Sequence, residues 1–228
     1  MSPKVVVVAN TAGGSAKTTV AHALSVAAVE YGKKTLLIDC DPKASLTFRV
    51  GREGTRVTLA DFLSGTSIRS EVLDSHSERF DFIAADSRVG NGFTGKDMSV
   101  LIEKLPKSYD LVIIDTPSDV NASLKSALDV ADLVLVPYSN TVHHLRGATQ
   151  ISKLSADTPL KLLTVGENSK PIEEFSQWDH LDGSCRIAKE IEAAAQTSTS
   201  VLTHAKNSTV AGQLRECAYS VLEVLGLD

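Results

Sequence analysis

The chain has 228 residues, with 23 Lys plus Arg against 28 Asp plus Glu, a formal charge of −5, and 43 % hydrophobic and 22 % charged residues. These values exclude disordered, collagen-like and coiled-coil chains and fit one α/β domain over residues 1–228. The mild acidity argues against coating nucleic acid by bulk charge, while leaving room for a local basic patch. In chain order, Lys4–Ala9 reads as a buried β-branched strand and Lys17–Tyr31 as a helix ended by Gly32. Thr35–Asp39 is a second strand, and Thr58–Leu63 a short helix capped by Thr58 with Asp61 three residues on. Phe80–Ala85 and Leu111–Asp115 are further strands, and Leu133–Pro137 is another, closed by its proline. Helical patterns cover Lys96–Lys104, Val120–Val130 and His143–Leu154, followed by a strand at Leu160–Val165. The region from Glu173 is less regular and ends in a helix from Val210 to Leu225. The alternation predicts an α/β fold: a mostly parallel twisted sheet flanked by helices on both faces, a three-layer sandwich.

The longest apolar runs, such as Val5–Ala9, are too short to span a bilayer, and the N-terminus does not read as a signal peptide. Cys40, Cys185 and Cys217 have no paired spacing, so a disulfide framework or cysteine metal site is not expected and the cytoplasm is the default compartment. Cys40 stands between two acids, which disfavours a thiolate nucleophile.

The most informative segment is Asn10-Thr11-Ala12-Gly13-Gly14-Ser15-Ala16-Lys17-Thr18-Thr19, between a predicted strand and a predicted helix. Gly13 and Gly14 let the backbone approach a ligand, and the N–H groups from Gly13 to Thr19 then face inward as an anion site. Lys17 supplies a charge for β- and γ-phosphates, and the Thr18 hydroxyl can bind Mg²⁺. Thr11 and Ala16 stand where the ordinary G-x-x-x-x-G-K-[ST] pattern has glycines, so a plain strand–helix turn with a solvated lysine is the competing reading. Two further segments favour the phosphate loop: Asp39-Cys40-Asp41-Pro42 ends the second strand, and Asp115-Thr116-Pro117 ends a later one. Strand-end carboxylates are how P-loop proteins hold Mg²⁺ through water.

With these residues, the chain resembles the deviant Walker A ATPases of the ParA/MinD type, a P-loop NTPase family whose loop reads K-G-G-x-x-K-[ST]. Ala12–Thr18 matches all but the first position. Asp39–Pro42, Leu111–Pro117, Thr58–Gly65 and Ala131–Pro137 with Leu145-Arg146-Gly147 match other family segments, and the likeness covers residues 4–156 well. The resemblance implies ATP/ADP and Mg²⁺ as ligands. It implies phosphate and Mg²⁺ binding by Lys17 and Thr18, a water-positioning role for Asp41, and Mg²⁺ support from Asp39 and Asp115. It further implies a homodimer that closes face to face over ATP, binding to non-specific DNA, and a ParB-like or McdB-like adaptor that brings cargo.

One departure matters. The family's signature lysine is Ala12 here, as in McdA-like branches. Loss of a trans cation implies slow hydrolysis or a nucleotide-held scaffold; otherwise Arg146 or the His143/His144 pair replaces it, or the alanine is an introduced change. With the loop at residue 10, no N-terminal operator-binding helix-turn-helix is expected. The end, from Gln213 to Asp228, has one arginine among three acids, a poor match for anionic lipid, so a helix packed on the sheet is expected instead of a membrane anchor. Candidate DNA cations are Arg146, Lys153, Lys161, Lys170, Arg186, Lys189, Lys206 and Arg215. The leading expectation is a cytoplasmic, nucleoid-associated partition ATPase for a plasmid or chromosome. The alternatives are a McdA-like carboxysome or cargo positioner, and a metabolic ATP-dependent ligase with a pocket near Asp86–Thr94 or Gly166–Ser169.

Overall fold

The computed structural model describes residues 2–68, 73–93, 97–155, 157–166, 173–176 and 178–228. The elements follow in order: β1 (Lys4–Val8), α1 (Lys17–Glu30), β2 (Thr35–Asp39), α2 (Ser45–Arg49), α3 (Leu59–Leu63), β3 (Asp74–Ser75), β4 (Asp81–Ile83), α4 (Val89–Gly92), α5 (Asp97–Glu103), β5 (Leu111–Asp115), α6 (Ala122–Leu128), β6 (Leu133–Tyr138), α7 (Val142–Leu154), β7 (Leu160–Val165), β8 (His180–Cys185), α8 (Lys189–Gln196), α9 (Val201–His204) and α10 (Thr209–Leu225). The strands form one sheet in the order β3-β4-β2-β5-β1-β6-β7-β8. All described pairings are parallel except that of the two-residue β3 with β4.

The hydrophobic pattern explains the layers. Residues alternate across a strand, so Val6 and Val8 face one side with α1, α8, α9 and α10, while Val5 and Val7 face the other with α3, α5, α6 and α7. Both faces are covered, which is why the central strands are continuous apolar runs. At the end of α1, Gly32 takes φ 80°, and Gly32 and Lys33 donate to the Val29 and Ala28 carbonyls, the glycine stop read from sequence. The Thr58 N–H donates to Asp61 (2.9 Å), as the predicted cap of α3 requires.

Two expectations need correction. Pro137 lies inside β6, paired with Leu163, and Tyr138 continues the ladder. A proline fits there because position 137 points toward β1, whose paired residues have already ended at Val8; the Pro137 carbonyl accepts from the Asn10 side chain instead. The region after Glu173 is also more ordered than its pattern suggested, since it supplies β8, α8 and α9 before α10. Lys96, at the start of one predicted helix, lies outside the described residues. α10 buries Val210, Leu214, Cys217, Val221 and Leu222 in the core, as expected of a helix packed on the sheet.

The chain leaves β1 for β2 on one side and later reaches β6 on the other. The order therefore reverses at β1, and ligands in such sheets bind beyond the carboxyl ends of strands at that point.

Candidate nucleotide-binding site

The loop from Asn10 to Ala16 leaves the carboxyl end of β1 and enters α1. Gly14 has φ 75°. Ala16, the residue before α1, has φ 68°, a left-handed conformation that costs an alanine about 1 kcal/mol or more. Ala44, just before α2, repeats this at φ 53°. Both helices that open onto the site thus start from a strained alanine, where ordinary phosphate loops spend a glycine on the first.

The loop is braced from α7. Asn10 Oδ1 accepts from the Ala12 N–H (2.9 Å), and its Nδ2 donates to the Pro137 carbonyl (2.9 Å). Gly147 of α7 lies so close that a Cβ there would stand 2.0 Å from Asn10 Oδ1 and 2.7 Å from the Ala12 nitrogen. The Ser139 N–H donates to His144 Nδ1 (3.1 Å), which places the ring proton on Nε2, facing the Gly13 carbonyl at 3.4 Å. Burial and this neutral arrangement agree, since the His144 pKa is pushed down chiefly by burial.

Lys17 is only 7 % exposed. Its Nζ donates to Ser118 Oγ (2.8 Å) and the Ala12 carbonyl (3.2 Å). Burial lowers its pKa, with Asp115 and Asp41 working the other way. Thr18 Oγ1 donates to Asp115 Oδ2 at 2.8 Å. Adjacent parallel strands place Asp39, Asp115 and Val8 in register, so the two acids and the loop share one edge. Burial, then the neighbouring Asp39, pushes Asp115 up to about 8. Burial likewise raises Asp39 to about 6.

The two acids do different jobs. Asp39 accepts from the Asp41 N–H (3.0 Å) and from the Thr47 N–H and hydroxyl (both 2.8 Å), so its carboxylate ties β2 to α2 and sets the Asp41 backbone. Asp115 Oδ1 is buried without a hydrogen-bond partner. An unpaired buried carboxylate oxygen beside the Thr18 hydroxyl fits a donor supplied from outside, such as water on a divalent cation. A cavity of about 250 Å³ opens here, walled by Gly14 to Thr19 together with Asp41, Lys43, Thr116 and Ser118. Its size, the lysine, the inward loop and the open carboxylate suit a Mg²⁺-bound phosphate chain.

The structure thus gathers Gly14, Ser15, Ala16, Lys17, Thr18, Thr19 and Asp41 on one cavity, with Gly13 held from behind by His144 and Asp115 reaching Thr18. Ser118 and Lys43 lie outside the motif segments and emerge only from the fold, and the bracing roles of Asn10 and Gly147 do so too. Arg146 is exposed and faces a separate groove with Val142, Thr149 and Lys153.

Of the candidate DNA cations among the described residues, Arg146 and Lys153 share that groove, while others are tied up in ion pairs. Arg215 is forked to Glu30 and Lys161 paired to Asp179. Arg186 follows the carboxyl end of β8, at the loop edge, whereas Lys153 sits in the last turn of α7. Lys170 lies outside the described residues, as do Thr94 and the 167–169 part of the second ligase pocket. No helix among the described residues is long and apolar enough to cross a membrane.

A family model described as an AAA domain (AAA_31) matches residues 3–159. The chain belongs to the ParA/MinD-type P-loop ATPases. It is 31 % identical over 163 residues to the chromosome partitioning protein ParA of Caulobacter vibrioides, covering 66 % of this chain and 61 % of that one, so the match spans about three fifths of that relative. It is 31 % identical to a ParA family protein of Chlamydia muridarum over 76 % of this chain and 78 % of the other. Its fold matches the septum site-determining protein MinD of Pyrococcus horikoshii OT3, complexed with Mg-ADP, with a TM-score of 0.85 at 19 % identity over 99 % of this chain and 98 % of that chain. The ParA/MinD-type P-loop fold anticipated from the motifs is therefore the fold of this family.

Proposed function

We propose that this protein is an ATP-dependent dimeric switch that partitions or positions a cargo. The observation that carries the reading is the Lys17–Thr18–Asp115 constellation at the β1 and β5 strand ends, with Lys17 and Thr18 on the cavity wall and a buried, unpaired Asp115 oxygen behind Thr18. The relatives add that the Caulobacter vibrioides ParA is a chromosome partitioning protein and that a MinD of this fold is complexed with Mg-ADP.

Lys17 and the loop N–H groups would hold the β- and γ-phosphates, and Thr18 and Asp115 would hold Mg²⁺, Asp115 through water. Mg²⁺, when bound, supplies positive charge at the phosphate oxygens. Asp41 borders the cavity with its backbone fixed by Asp39, and we assign it the placement of the attacking water. ATP closes two protomers face to face; the dimer binds non-specific DNA and so associates with the nucleoid, and a ParB-like or McdB-like adaptor links it to a plasmid, chromosome or microcompartment. Hydrolysis is slow, because Ala12 offers no cation to a partner.

The test measures ATP turnover with and without non-specific duplex at low salt, alongside the size of the ATP- and ADP-loaded protein. Slow, DNA-stimulated turnover and a dimer with ATP alone are expected. Turnover that needs a small organic co-substrate instead, with no DNA effect, overturns the reading in favour of a ligase.

A further inference from the structure

A phosphate chain brings several negative charges into a cavity whose walls already hold Asp41 and adjoin Asp115. Lys17 is one buried cation against them. Ala12 cannot host another, since it is 1 % exposed and its Cβ side is filled by α7 at Gly147. His144 is committed to Gly13 and Ser139, and Arg146 faces a different groove.

Lys43 remains. It borders the phosphate cavity beside Asp41, and its N–H donates to Asp41 Oδ1 (2.9 Å), which fixes the backbone from which the side chain departs. The left-handed Ala44 then turns the chain into α2. The Lys43 ammonium pairs with Asp119 at 3.4 Å, with the two side chains 67 % and 71 % exposed. A solvated pair at that separation holds its lysine weakly, whereas a charge-assisted bond to phosphate is among the stronger ones available. The charge of Lys43 is felt at Lys17, so the two cations share one field.

We infer that Lys43 is the second phosphate cation of this site, exchanging Asp119 for a terminal phosphate oxygen when the cavity fills. It acts in the same chain, since it borders that chain's own cavity, and its place beside Asp41 directs it to the end of the phosphate chain where water attacks. The inference rests on the nucleotide reading above.

The experiment is equilibrium binding of Mg-ATP and Mg-ADP to the full chain and to K43A, K43R and K17A, with thermal unfolding of each. K43A should bind ATP about tenfold more weakly and ADP within about twofold of the parent, with an unchanged unfolding midpoint. K43R should recover most of the ATP affinity. Parent-like binding of both nucleotides by K43A, beside loss in K17A, overturns the Lys43 assignment alone. Equal weakening of ATP and ADP overturns its placement at the terminal phosphate. A parent that binds neither nucleotide overturns the nucleotide reading and this inference together.

Discussion

Two buried polar clusters lie along α1, and they differ in how their carboxylates are satisfied. At its N-terminus, Lys17 and Thr18 border a cavity, and Asp115, which accepts from Thr18 behind the wall, keeps an Oδ1 without a partner. Further along, His22 meets Glu78 at 2.6 Å with both side chains almost fully buried. Glu78 also accepts from the Ser200 N–H (2.9 Å) and the Thr203 hydroxyl, and its own N–H donates to His76 Nδ1 (3.1 Å). His76 donates onward to the Val50 carbonyl and stacks on Phe80. Here the carboxylate is enclosed by donors from α1, α9 and the chain before it, so the cluster pins layers together. Burial alone therefore does not mark a functional acid; an unsatisfied carboxylate oxygen bonded to a residue of a cavity wall does.

The largest effect should separate the clusters by stability. Glu78→Ala strands His22, Ser200 and Thr203, and should cost about 3–5 kcal/mol in denaturant unfolding. The protein that remains folded should bind ATP like the parent; intact stability would place Glu78 outside the structural cluster.

A smaller effect should come from the brace behind the loop. Gly147→Ala gains about 1 kcal/mol of helix propensity. Its Cβ would nevertheless overlap Asn10 Oδ1, displacing the side chain that holds Ala12 and Pro137. A net loss of about 1–3 kcal/mol and weaker Mg-ATP binding are expected. Unchanged binding would show that the loop does not depend on α7.

Stability against pH gives the smallest and sharpest contrast. Asp39 and Asp115 sit at about 6 and about 8, above the ~3.9 of an unfolded aspartate. The folded state then keeps protons that the unfolded chain has released. Their contribution is complete below about pH 4 and is lost as pH rises through about 6 and then about 8. Glu78 runs the other way: burial works to raise it, but the His22 bond and its other donors hold it below its ordinary value. Its contribution is present above the ordinary glutamate range and is lost on acidification. Urea unfolding of the nucleotide-free protein from pH 5 to 8 should show the decline, and Asp115→Asn should flatten its upper part.

Much of this was readable from residue order. Strands at Thr35–Asp39 and Leu111–Asp115 carry unbroken apolar runs with polar stops, Leu160–Val165 is a mostly apolar run stopped by Gly166, and the structure places all three at those residues. The phosphate loop was legible because glycines, lysine and threonine fall between a strand and a helix. β8, with Asp182, Gly183 and Ser184 in its middle, shows no such pattern, since an edge strand needs only one apolar face. The roles of Asn10, Thr47, Ser118 and Gly147 depend on contacts across the fold that local periodicity cannot express. The division of labour between Asp39 and Asp115 was hidden for the same reason: both end apolar strands, and only the position of α2 decides which stays open.

The most direct test is Mg-ATP binding by the parent and by Lys17→Ala, read by calorimetry with unfolding midpoints for both. Lys17 is a buried cation with two neutral oxygen partners, so its removal should cost little stability or add some. It should weaken Mg-ATP binding by roughly 100-fold. A Lys17→Ala protein that binds Mg-ATP as tightly as the parent would contradict the account of this cavity as the nucleotide site.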